Sequence, residues 1–201
     1  MAEDIVQSLI DRFDAKSWLE PEERDVNVLA YRYVPLRLEG KWKQARVRVR
    51  DLPARRGGLD DIVAKVPARM TDSVWASGDE DAPAVHVTTF ETASRAEARA
   101  WLLRTLAEFQ APKLERTDAG EVGYISEGRA AAAFVRGNVV FFVRNAGREP
   151  TNIAPVAKGL DAELIAEPKR FTRALEVAPP RARAGMPATL ELPEPEPGRY
   201  Y

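Results

Sequence analysis

The sequence predicts an α+β fold, a two-layer sandwich with a mainly antiparallel sheet and helices packed on one face. Three observations predict it. Ala130–Arg144 holds two apolar runs around Arg136-Gly137-Asn138, the pattern of a hairpin. Gln44–Leu52 alternates valine and alanine with arginine, the pattern of a strand. Ser94–Gln110 and Thr151–Ala166 carry apolar residues at helical spacing. A sheet of at least five strands centred on the hairpin follows.

The hairpin is the strongest signal. From Val139 to Arg144 every residue but the last is β-branched or aromatic, which favours strand over helix. Neither arm alternates with polar residues, so both faces of the hairpin should be covered. Its interior carries no group able to do chemistry, which makes it a scaffold.

The other elements follow in order. Ala2–Phe13 reads as an amphipathic helix, with Ile5, Val6, Leu9, Ile10 and Phe13 on one face and Glu3 and Asp4 in the first turn. Val26–Val34 reads as a strand and Leu59–Val66 as a short helix. Thr71–Pro83 reads as a polar, acidic connector, in which Trp75 is expected to be exposed or to plug a pocket. Ala84–Glu91 alternates as a strand. Ser94-Arg95-Ala96-Glu97 is a capping box and opens the helix that Pro112 follows. Val122–Ser126 joins the hairpin in a three-stranded meander. Thr151 or Asn152 caps the last helix, with Pro155 in its first turn. Residues 1–170 form one α+β domain, and 171–201 form a proline-rich extension or linker, with short strands expected at Ala174–Val177 and Ala188–Leu192.

Composition narrows the chemistry. The chain has 201 residues, no cysteine, one histidine and a formal net charge of −1. Thiol catalysis and thiolate metal sites are excluded, and no global field draws the chain to nucleic acid. No apolar run reaches the ~20 residues of a membrane span. The acidic N-terminus does not read as a signal peptide. The expected location is the cytoplasm if Met1 is native, and outside it if Met1 begins a recombinant mature form. No phosphate-binding glycine loop and no G-x-S-x-G is present. No cofactor is expected.

The order helix, three strands, helix from Ser94 to Ala166 resembles that of double-stranded RNA-binding domains. That resemblance implies a cluster of lysines at the start of the last helix. The chain has only Lys158 there, so the order is kept as a topological hint and RNA binding is not expected.

The expected function is that of a non-enzymatic binding domain. Nine basic residues stand between Val26 and Arg56 against only Glu39 and Asp51, with Tyr33 and Trp42 among them. Arg46, Arg48 and Arg50 on one strand face, with Trp42 and Tyr33, form the candidate surface for an acidic protein or an anionic ligand. The competing expectation is an exposed face whose arginines pair with the acidic stretch Met1–Asp25. An enzymatic alternative is a hydrolase-like site using His86 and a carboxylate from the Asp79-Glu80-Asp81 loop. A structural alternative is a component of a bacterial envelope assembly, with the C-terminal stretch as linker.

Overall fold

The computed structural model describes residues 2–20, 38, 40, 42–53, 68–78, 82–109 and 113–166. The expected strand at Val26–Val34, the helix at Leu59–Val66, the Asp79 cluster and the segment 171–201 lie outside them. The elements are α1 (Ala2–Arg12), β1 (Lys43–Leu52), β2 (Ala68–Ala76), β3 (Ala84–Glu91), α2 (Arg95–Ala107), β4 (Leu114–Arg116), β5 (Val122–Ser126), β6 (Ala131–Arg136), β7 (Val139–Asn145) and α3 (Ala154–Ala166). The strands form one seven-stranded antiparallel sheet in the order β1-β2-β3-β7-β6-β5-β4. The α+β class and the antiparallel sheet are therefore as predicted.

The hairpin β6–β7 lies at the centre of the sheet. Its register pairs Phe134 with Phe141, whose rings stack at 4.6 Å and 4°. Both side chains are fully buried. Alternate residues of β6 then divide between two cores. Ala132 and Phe134 join Phe141, Val143, Val85, Val87, Ile153 and the α3 residues Ala157 and Leu160. Ala133 and Val135 join Val140, Tyr124, the α2 residues Ala98, Leu102 and Leu106, and Phe13 and Trp18 near α1.

Successive strand residues point to opposite faces, so α3 covers one face and α1 with α2 covers the other. The expected packing of helices on a single face is thus corrected. The physical reason was present in the hairpin itself. Arms that are apolar on both sides need cover on both sides.

The tight turn has Gly137 at φ +57, while Asn138 keeps a negative φ. That sign pattern is a type II′ turn, where glycine takes the first central position. The turn is bolted to three distant elements. Arg136 donates twice to Asp161 of α3, at 2.7 and 2.7 Å. The Gly137 N–H donates to Glu121 at 3.1 Å. The Asn138 amide donates to the Thr92 carbonyl at 2.7 Å, and the Asn138 carbonyl accepts the Thr92 N–H at 3.0 Å. Glu121 also accepts from Arg95 at 2.5 Å and from Arg99 at 3.2 Å. Burial pushes the Glu121 carboxyl up, but Arg95, the Gly137 N–H and Arg99 together hold it below the usual glutamate range.

The capping box forms as read. The Ser94 side chain accepts the Glu97 N–H at 3.2 Å, and Glu97 accepts the Ala93 N–H at 2.9 Å. Asn152 caps α3 by accepting the Ala154 N–H at 3.1 Å. The helix–strands–helix order from Ser94 to Ala166 is present, with the short β4 added and the two helices on opposite faces.

The connector expected at Thr71–Pro83 is corrected, because Ala68–Ala76 is a strand inside the sheet. Its inward residues include Thr71 and Ser73, both buried. Trp75 is likewise only 2% exposed, neither exposed nor a pocket plug. Its indole N–H donates to Ser73 Oγ at 3.0 Å, and Ser73 Oγ donates to the Val87 carbonyl at 3.2 Å. Hydroxyls satisfied in this way can face a core, which hides the strand from a reading by polarity.

Candidate binding surface

Among the described residues β1 lies at an edge of the sheet. Arg46, Arg48 and Arg50 face Val74, Asp72 and Met70 in register, so their side chains leave the same face of the sheet. All three are exposed. Arg46 and Arg48 make no hydrogen bond or ion pair among the described residues. Arg50 meets only a thioether, with Nε and Nη2 each 3.3 Å from Met70 Sδ. The described N-terminal acids do not serve as partners. Asp11, for instance, is held by Gln7 at 2.9 Å and Lys16 at 3.5 Å.

The structure separates Trp42 from this ladder. A bulge falls between Gln44 and Arg46, so Gln44 pairs with Trp75 while Arg46 pairs with Val74. One extra residue reverses the side-chain alternation. Trp42, before the bulge, packs against the α3-side core with Trp75. The arginines, after it, leave the opposite face. Strict alternation from the sequence could not reveal the reversal. Tyr33 lies outside the described residues. Of the five predicted residues, the three arginines come together and Trp42 does not join them.

A polar row crosses the same face beside the ladder. Asp72 stands directly opposite Arg48. Its carboxylate turns instead to β3, accepting Thr88 Oγ1–H at 3.1 Å and contacting His86 Nε2. On the far side, Arg144 Nε donates to His86 Nδ1 at 3.0 Å. These bonds require a neutral imidazole with its proton on Nε2. Both ring nitrogens are then engaged, and neither is left to take a proton from a substrate. The carboxylate beside His86 is that of Asp72, which the sequence reading had placed in a connector.

Past Arg144 the face narrows into a cleft of about 650 Å³ between the C-terminal half of α2 and the β6–β7 arms. Phe90 stacks on Trp101 at 4.7 Å, and Phe142 meets Phe109 edge-on at 5.3 Å. Sequence reading missed this cleft. Its one signal was the tract of small residues at Ala130–Ala133, which leaves one wall without bulk. Among the described residues no cluster of His, Asp and Glu is arranged to hold a metal ion. No described helix is long and apolar enough to cross a membrane. No family model, curated protein or solved structure matches the chain.

Proposed function

We propose that this chain is a non-enzymatic binding domain that engages an acidic protein through the edge strand β1. The carrying observation is the ladder Arg46, Arg48 and Arg50, three exposed cations on one face with no carboxylate partner among the described residues. Ion pairs of surface arginines are individually weak, and several aligned on one strand act together. The edge position adds backbone groups that an extended segment can pair with. Val47 and Val49, on the opposite face of the same strand, are 42% and 41% exposed and offer such a segment apolar contact. The partner that fits is an extended stretch alternating acidic and apolar residues. A simple anion bound on the arginine face alone is the lesser form of the same reading.

The engaged state of His86 favours binding over hydrolysis. A general base needs an open nitrogen, and here Arg144 and Asp72 occupy both. The test is affinity for an alternating Glu/Val peptide as a function of salt, in the native chain and in Arg48→Glu.

A further inference from the structure

The aromatic cleft beside α2 is separate from the arginine ladder, and its hydrogen-bonding groups are out of balance. Trp101 is 7% exposed and lines the cleft, yet its indole N–H has no acceptor in the protein. A buried N–H left unsatisfied costs roughly 1–3 kcal/mol, so such groups are normally met by a partner. Arg144 uses only Nε, toward His86, and its two terminal nitrogens have no protein acceptor. Ser126 Oγ accepts the N–H groups of Ala130 and Ala131, at 3.0 and 3.1 Å, and keeps its own proton to give. The carboxylate at the rim is Glu108, and it is held by Arg104 at 3.2 Å. Donors of Arg144 and Ser126 therefore share a chamber walled by Phe90, Trp101, Phe109 and Phe142.

We infer that this cleft is a small-molecule site for a monocarboxylate with an apolar body. The carboxylate supplies acceptor oxygens to Arg144 at the mouth and to the Ser126 hydroxyl further in. The body lies against Phe90, Phe142 and Phe109, on the side where Gly128, Ala130 and Ala131 leave space. A chamber of about 650 Å³ is within the usual range for such ligands. This site stands apart from the proposed function of β1, and either can fail without the other.

The test titrates indole-3-acetate and octanoate into the full chain, with indole-3-acetamide and octanamide as neutral counterparts. Binding is followed by the indole N–H signals in ¹H–¹⁵N correlation spectra. The expected result is a saturable shift of the Trp101 signal with at least one acid, and a much weaker response to its amide. The responding acid tells an aromatic body from an acyl one. Arg144→Met should weaken the acid at least about tenfold and leave the amide unchanged. Ala131→Leu should abolish binding by filling the chamber, at an unchanged melting temperature. No saturable Trp101 shift with either acid at millimolar concentration overturns the inference. Equal binding of acid and amide, or full acid affinity in Arg144→Met, overturns it as well.

Discussion

Arg144 Nε donates to His86 Nδ1 across the β3–β7 ladder at 3.0 Å, and this bond sets the tautomer of the chain's lone histidine. With Nδ1 accepting, Nε2 must carry the proton that faces Asp72. ¹⁵N chemical shifts of the imidazole should therefore report the Nε2–H form at neutral pH. Arg144→Met should let Nδ1–H become populated. A dominant Nδ1–H form in the native protein would contradict the geometry.

Asn138 holds a hairpin turn to the start of α2 through its two-way pairing with Thr92. Both residues are buried. Asn138→Ala leaves the Thr92 carbonyl without its donor and should cost about 1–3 kcal/mol in denaturant unfolding. Asn138→Asp should be at least as damaging, because it places an acceptor against that carbonyl. A loss within experimental scatter for both would show that the turn does not depend on this contact.

Glu121 should make the fold sensitive to acid. Its folded-state pKa is lowered, so the folded chain holds that proton less tightly than the unfolded chain. Its stabilising contribution is complete above the ordinary glutamate range of about 4 to 5. It is lost as the pH falls through that range and on through the lower folded value. Glu121→Gln should lower stability at neutral pH and flatten the decline below about pH 5. An unchanged slope in Glu121→Gln would assign the acid sensitivity to other carboxylates.

Gly123 sits where β5 crosses the loop after β4. A Cβ there would stand 2.4 Å from the Ala119 carbonyl oxygen and 2.7 Å from Thr117 Cγ2. Gly123→Ala must therefore displace backbone, at a cost of at least about 1–3 kcal/mol. Phe134→Ala, which removes half of the central stacked pair, should cost about 3–5 kcal/mol. A thermal melt of each variant checks both values.

Periodicity carried most of the fold. Five strands or helices on the C-terminal side, from Ser94 to Ala166, have apolar patterns strong enough to be placed within a few residues. Two features were hidden for identifiable reasons. β2 buries Thr71 and Ser73, whose hydroxyls pass for solvent-facing groups until their acceptors are known. β4 is three residues long and shows only Leu114 between charges.

The candidate site was legible in part. The three arginines could be aligned from alternation alone, since β1 is regular from Arg46 onward. The bulge that sends Trp42 to the other face has no signature in Lys43-Gln44-Ala45. The cleft depends on Phe90, Trp101 and Phe142 meeting from three elements, and no local pattern encodes that meeting.

The most direct test of the proposed function is fluorescence anisotropy of a labelled alternating Glu/Val peptide with the full chain, from low to high salt. Saturable binding is expected that weakens steeply with salt and is lost in Arg48→Glu, while a Lys/Val peptide binds neither form. Binding of the acidic peptide with equal affinity in native and Arg48→Glu chains would contradict it. So would the absence of binding to the native chain at low salt.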